Sequence, residues 1–510
     1  MSHFPTSPFR AFRNLIVLHG GLVCGILVMP AAAEPLRDFR LNHQTAIPDQ
    51  PLLKERLASY LHQEYSATLA DAIADAVLQH YQSHDHPVVQ VSMSEDAFQN
   101  GVLQVDITEG RIGEIQQRGG AHLAPYSPRL ASGDFLTGTG LQRELDWLNR
   151  NPFRQATLTA TPGTSPEIAN LEMNSSDQWP VSAWTTYSND GVHPLDGNRW
   201  LAGLSVGDLF RWDHTLTVQG QMADDPDEYH LLMGEWKCRL PWRHELSLSG
   251  AGVGTEALVS DDIRVDSSAW FASVRYRIPW RSSLRLSGEY WLGMDRKHFS
   301  TDLLFGGAAE NFHPITMTTM DVGSQVQYVI GRNSFEVSAE AVWSPGSWLG
   351  SSDDASFGEV SPGAQAAFLY LRGQVKWQHA FRSEWSVHSG IYGQWSDGEL
   401  LSSEAFYLTG ANAVRGYEER SVLGSKGIRA TLETRTPALS IPSCHLQAQA
   451  VAFVDGGHTW TEQSGTEDPL SIGTGVRAQL GKWSQLRCEV AWPMTDHLAP
   501  RLHVNLTLTF

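Results

Sequence analysis

The chain has 510 residues, with 37 Lys+Arg against 56 Asp+Glu, 45 Gly, 18 Trp and only 18 % charged residues. Beyond residue 33 no uninterrupted apolar run reaches the roughly 18 residues that a spanning helix needs, which excludes a helical membrane bundle. The acidic balance argues against a nucleic-acid partner, and the high aromatic content favours many short strands.

Residues 1–33 carry Arg10 and Arg13, a mostly apolar run over 15–29, and Ala31-Ala32-Ala33 before Glu34. This is the layout of a secretory signal peptide cleaved after Ala33. His19, Gly20, Gly21 and Gly25 shorten the run for a membrane anchor, and Val23 before Cys24 argues against a lipoprotein site. Removing the segment leaves 35 Lys+Arg against 56 Asp+Glu, a net charge of −21. Cys238, Cys444 and Cys488 remain, an odd number that forms no disulfide framework. Strand parity turns all three outward, where a thiol behaves as a small apolar group and binds no metal.

From 34 to 179 two segments repeat one layout: strand, two helices, strand, strand. In the first, 36–42 predicts a strand, and 52–61 and 67–81 have helical spacing, with Leu69, Ile73, Ala76, Val77 and Tyr81 on one face. Strands follow at 87–93 and 101–108. The second copy opens at 112–117, has a helix over 140–149 ending at Asn149-Arg-Asn-Pro152, and closes with strands 156–161 and 168–174. Both read as compact α+β modules, over 34–112 and 113–179.

From 180 onward sixteen segments of alternating polarity follow, at 180–188, 199–209, 212–222, 227–239, 243–254, 265–277, 282–294, 315–329, 333–343, 364–378, 383–395, 426–436, 444–455, 470–480, 484–492 and 502–510. Leu284, Leu286, Gly288, Tyr290, Leu292 and Met294 share one parity, and Arg285, Ser287, Glu289 and Trp291 the other. Period 2 alone does not separate a soluble sandwich from a barrel. Connection lengths do: short turns such as Pro241-Trp-Arg243, Pro279-Trp-Arg281 and Gly331-Arg-Asn333 follow even segments, and mostly longer loops follow odd ones. That asymmetry predicts a 16-stranded antiparallel transmembrane β-barrel over 180–510, with Trp-rich turns at the lipid interface and a lumen wide enough for water. The last segment, with Leu502, Val504, Leu506, Leu508 and Phe510 in alternation, ends on an aromatic.

Between the eleventh and twelfth segments lies Val414-Arg415-Gly416-Tyr417. In the thirteenth, Asp455 faces inward by parity with Gln447 and Gln449, inside Phe453-Val-Asp455-Gly-Gly457. An Arg on a loop folded into the lumen reaches Asp455 as a bidentate, charge-assisted pair, far stronger there than on a surface.

These residues carry a resemblance. The run 101–113, Leu145 to Arg154 and Thr161-Pro-Gly163 resemble polypeptide-transport-associated (POTRA) domains. With Val-Arg-Gly-Tyr and Phe-x-Asp-x-Gly, the whole mature chain resembles two-partner secretion outer-membrane transporters of the FhaC, ShlB and HecB type. The resemblance implies a monomeric pore, without enzyme activity or cofactor, that threads an unfolded exoprotein from periplasm to cell surface. It implies that Arg415 and Asp455 fix the inward loop, that Val414, Tyr417, Phe453 and Gly457 pack around them, and that Gly416 permits the bend. The POTRA-like modules would capture the client on a sheet edge, for which Ala156, Thr157, Leu158 and Thr159 are the candidates. Leu506, Leu508 and Phe510 would be recognised by the barrel-assembly machinery after delivery by periplasmic chaperones, and lipid would surround the barrel. Family members often carry an N-terminal plug helix; here the first module begins almost at Glu34, so the loop alone is expected to occlude the pore.

Other readings carry less. Gly203-Leu-Ser205-Val-Gly207 matches a nucleophile elbow but lies within a predicted strand. Asp224, Asp225, Asp227 and Glu228 lack the spacing of a defined Ca²⁺ site. A barrel insertase would usually carry more than two POTRA domains, and a passive porin needs neither periplasmic modules nor an Arg–Asp pair on a loop.

Overall fold

The computed structural model describes residues 34–510 apart from 44–47, 95, 120–127, 166, 178, 193–194, 209, 261–262, 306–307, 312, 462–464 and 496–497. The expected signal peptide lies outside the described residues. The chain divides into two compact units, the first running to Gln178 and taking in Arg281–Leu284, the second comprising Trp179–Trp280 and Arg285–Phe510.

The first unit holds two small sheets of the same topology. In one, β1 (Asp38–His43) runs parallel to β4 (Val102–Glu109), and β2 (Val89–Ser92) pairs antiparallel on the other side of β4, with β3 (Phe98–Gln99) completing the sheet. Helices α1 (Gln50–Ala58) and α2 (Ala67–Ser83) cover it. Ser66 caps α2 by accepting from the Leu69 amide, and Leu69, Ile73, Val77 and Tyr81 bury one stripe against Leu103, Val105 and Ile107. In the other, β5 (Arg111–Gly119) is parallel to β7 (Ile168–Asp177), and β6 (Arg154–Pro162) pairs antiparallel on the far side of β7. Helix α3 (Gly138–Leu148) packs Leu141 and Leu148 onto Ala156, Leu158 and Ala160. In both sheets the last strand is central and the strand before it lies at an edge.

The second unit is a closed antiparallel barrel. Its sixteen wall strands are β8 (Val181–Ser188), β9 (Arg199–Gly207), β10 (His214–Met222), β11 (Tyr229–Arg239), β12 (Glu245–Ser260), β13 (Ile263–Arg281), β14 (Leu286–Phe305), β16 (Ile315–Ile330), β17 (Asn333–Pro345), β18 (Ala367–Ala380), β19 (Ser386–Ser396), β22 (Lys426–Arg435), β24 (Leu446–Thr461), β26 (Leu470–Leu480), β27 (Ser484–Pro493) and β28 (Arg501–Thr509). Short β15 (Ala308–Asn311), β23 (Leu439–Ile441) and β25 (Gly465–Glu467) extend strand ends. β20 (Phe406–Tyr407) and β21 (Leu423–Gly424) pair only with each other. Closure is made by β28 against β8 over Asn505–Thr509, continued where Phe510 exchanges backbone bonds with Ala183. Among the described residues no helix is long and apolar enough to cross a membrane; the strands do the crossing.

Alternation along each strand sets the two faces. Leu232, Leu248, Tyr290, Leu292, Val322, Val337, Leu432 and Val454 stand exposed outside, an apolar surface that only lipid would cover. Trp200, Trp343, Trp395, Trp460 and Trp492 are exposed at the long-loop ends of their strands, and Trp242, Trp385 and Trp483 lie in the short turns. These make two aromatic girdles, where an indole keeps its ring in the apolar boundary and its N–H near water.

Two local expectations are corrected. Pro279, Trp280 and Arg281 complete β13, because the turn to β14 is made by 282–285 instead. Cys444 lies exposed in a single 3₁₀ turn at Pro442–Cys444, not on an outward strand position. Cys238 and Cys488 do take outward parity, beside exposed Leu232 and Trp492 on their own strands.

Candidate functional site

The 397–425 connection between β19 and β22 folds into the barrel as a hairpin pinned by β20 and β21. Beyond them Thr409 and Val414 form a parallel bridge, the Val414 amide donates to the Leu408 carbonyl at 2.8 Å, and Leu408 and Val414 are fully buried. This tight bend pushes the next residue, Arg415, to the tip.

Arg415 and Asp455 meet there. Arg415 Nε and Nη2 donate to Asp455 Oδ2 and Oδ1 at 2.6 and 2.8 Å, the parallel fork of a bidentate pair. The Thr431 hydroxyl donates to Oδ1 at 2.6 Å and the Arg415 amide to Oδ2 at 3.3 Å. Arg415 Nη1 reaches Glu489 at 2.9 Å and Glu433 at 3.3 Å, and the guanidinium carbon lies 3.3 Å from the centre of the Phe453 ring. One face of the cation is therefore covered by the ring's negative quadrupole while its edge is filled by carboxylates.

The neighbouring residues complete the fit. Gly416 has φ +94°, a region an L side chain enters with strain, and a Cβ there would meet Ala491 at 3.2 Å. Its amide donates to His503 Nε2 at 3.0 Å. The Tyr417 hydroxyl donates to the Leu470 carbonyl at 2.8 Å, so its ring is buried with its polar end satisfied. Gly457 leaves the space that Leu408 fills, and Gly473 leaves the space that the Phe453 ring fills.

Several members are absent from the sequence-based candidates. Glu433, Arg435, Arg477, Arg487, Glu489 and His503 line the same pocket. Arg477 bridges Glu433 and Glu489 at 2.7 and 2.9 Å, Arg435 holds Glu433 at 2.6 Å, and Arg487 holds Glu489 at 2.8 Å. Arg487 also donates to the Ala411 carbonyl and the Asn412 side chain of the loop. With Arg415 seated, four arginines face three carboxylates in a site nearly sealed from solvent. Inward parity flags each of these charges, but it does not say which of the many inward charges converge.

The other candidates lie elsewhere. Ala156 and Leu158 point into the core of the second sheet, and Thr157 and Thr159 lie exposed on β6, whose recorded strand partner among the described residues is β7 alone. Leu506, Leu508 and Phe510 face outward on the closing strand, Phe510 most exposed of the three. Gln447 and Gln449 share the inward parity of Asp455, and the Gln449 amide donates to the Thr436 carbonyl at 3.0 Å. Ser205 sits within β9 against Thr217 rather than on a strand-to-helix turn. Asp224 accepts from Asn198 and Trp200 at 2.7 Å each, and no metal-competent cluster of His, Cys, Asp or Glu occurs among the described residues.

A family model described as haemolysin secretion/activation protein ShlB/FhaC/HecB matches residues 312–479, the stretch that contains both Arg415 and Asp455. The outer membrane transporter CdiB of Dickeya dadantii (strain 3937) is 21 % identical over 498 residues, covering 90 % of this chain and 83 % of the relative. Among solved structures, CdiB from Escherichia coli superposes with a TM-score of 0.77 at 15 % identity over 97 % of this chain and 93 % of that one. CdiB from Acinetobacter baumannii gives 0.68 at 13 % identity, over 95 % and 91 %.

Proposed function

We propose that the chain, which matches the ShlB/FhaC/HecB model over 312–479 and resembles CdiB outer membrane transporters along most of its length, recognises an unfolded exoprotein in the periplasm and passes it through the barrel to the cell surface. The observation that carries this reading is the 397–425 loop, folded into a closed sixteen-stranded barrel and held there by the Arg415–Asp455 pair. A passive pore gains nothing from a buried, bidentate pair on a loop. A pore that must stay shut until a chain arrives needs such a loop, fixed firmly yet by contacts that can be exchanged.

Capture is assigned to the first unit, whose modules over 34–112 and 113–179 stand in the periplasm. On the outer edge of β6 the Asn149 side chain holds Ala156, and the backbone groups of Leu158 and Ala160 that face away from β7 are offered to an extended client segment, with Thr157 and Thr159 beside it. Passage then needs no chemical step, nucleotide or cofactor, since an unfolded chain that folds outside is pulled forward by its own folding. Leu506, Leu508 and Phe510 present the outward apolar stripe that the assembly machinery reads during insertion.

The test is export. A large exoprotein of the two-partner secretion type, co-expressed with this chain, should accumulate in the medium of cells that carry the chain and remain cell-associated in cells that lack it. Equal amounts in both media would refute the transport reading.

A further inference from the structure

The loop that carries Arg415 is held at a second place, near its root. Glu404, two residues before β20, is 1 % exposed. Its carboxylate accepts from Lys297 Nζ at 2.7 Å and from the Tyr370 hydroxyl at 2.8 Å. Its backbone carbonyl accepts from Arg372 Nη2 at 3.0 Å and Gln394 Nε2 at 3.1 Å. One residue thus has its side chain and its main chain fixed by four donors on β14, β18 and β19. Beside it Leu400 and Leu401 of the loop pack with Phe357 of the short helix α4 (Asp354–Val360), Phe368 and Met317, an apolar cluster on one side of the buried carboxylate. Exclusion of water strengthens each of these contacts.

The tip is held by β22, β24, β27 and β28, so the two fastenings share no strand. They also differ in what release leaves behind. When Arg415 withdraws, Arg435, Arg477 and Arg487 stay bridged to Glu433 and Glu489, while Asp455 keeps the Thr431 hydroxyl and the buried site loses one of its four cations. When Glu404 withdraws, Lys297 is left with Asp295 at 3.9 Å, and Tyr370 loses the acceptor of a buried hydroxyl.

We propose that Glu404 is a positioning residue that fastens the root of the loop independently of the tip, so that release of Arg415 swings the loop on a held root instead of freeing it. Its purpose rests on the transport reading; the fastening itself is measurable without a client.

Single-channel recording of the purified full chain in planar bilayers tests it, with heat-modifiable migration confirming that each variant is a folded barrel. Glu404→Gln, which keeps the shape and two hydrogen-bonding groups but removes the charge, should raise the frequency of open events by at least about tenfold. Lys297→Met approaches the same contact from the wall and should do likewise. In Glu404→Gln/Arg415→Ala the two single effects should multiply, the mark of independent contacts. The exchange Lys297→Glu/Glu404→Lys should return opening towards that of the unaltered chain, which lost packing alone would not do. Wild-type gating in both Glu404→Gln and Lys297→Met, or a double variant no different from Arg415→Ala, would overturn the proposal. Export of the client, measured in parallel, separates the two ideas. Altered gating in a chain that exports nothing even unaltered removes the transport reading and leaves the fastening, whereas normal export with unaltered gating removes the fastening alone.

Discussion

The tip of the 397–425 loop and the edge strand β6 solve opposite problems with the same chemistry of donors and acceptors. At the tip every arm of Arg415 has a partner within the chain, both oxygens of Asp455 are filled, and Phe453 covers the remaining face. At β6 one side of the strand pairs with β7, and the other has no recorded strand partner among the described residues. A closed set of contacts makes a latch, since opening it strands a buried charge. An open set makes a receptor, since only another chain completes it.

That contrast can be broken first at the latch. Arg415→Ala leaves Asp455 buried without its cation, a loss of about 3–5 kcal/mol for a pair of this kind. Protease added to intact cells should then cut within 397–425 many times faster than in the unaltered chain. Unchanged cleavage would mean that the pair does not hold the loop. The receptor side is sharpened by Thr157→Pro, which removes the backbone donor that faces Asn174 of β7 and so distorts the edge strand. Client-segment affinity should fall about tenfold, roughly 1.4 kcal/mol, with barrel unfolding unchanged; unaltered affinity would move client capture away from β6. A cost of similar size is expected from Gly416→Ala, where the left-handed backbone costs roughly 1–2 kcal/mol and the new methyl meets Ala491. The loop should become protease-sensitive at a lower temperature than in the parent, yet stay closed at the growth temperature.

Much of the barrel was legible because period 2 is a local signal. The boundaries of β16, β17, β26 and β27 fall within two residues of the spans read from alternation, and the strand count of sixteen stands. What alternation does not carry is how far a strand continues past the membrane. β12, β14 and β24 run on to residues 260, 305 and 461, beyond where the apolar parity fades, because backbone pairing continues where lipid no longer selects side chains. Proline likewise misled at Pro279, since a residue at the end of β13 tolerates the lost donor. In the site, Arg415 and Asp455 were legible because a tight bend and an inward acid in an otherwise apolar strand each stand out. Glu433, Arg477 and Glu489 were not, since their convergence depends on register across four strands. Gly473 is clear only once Phe453 is seen lying over it. Glu404 was missed because nothing in Ser402-Ser403-Glu404-Ala405 marks a buried acid, and its side-chain partners lie 107 residues away on β14 and 34 residues away on β18.

The central claim is that a loop latched by Arg415 and Asp455 gates export of a partner protein. It is tested most directly by the amount of a co-expressed exoprotein client in the medium, compared at matched outer-membrane levels of the unaltered chain, Arg415→Ala and Asp455→Ala. Export by the unaltered chain and its loss from both variants is the predicted result. Equal export from all three would contradict it.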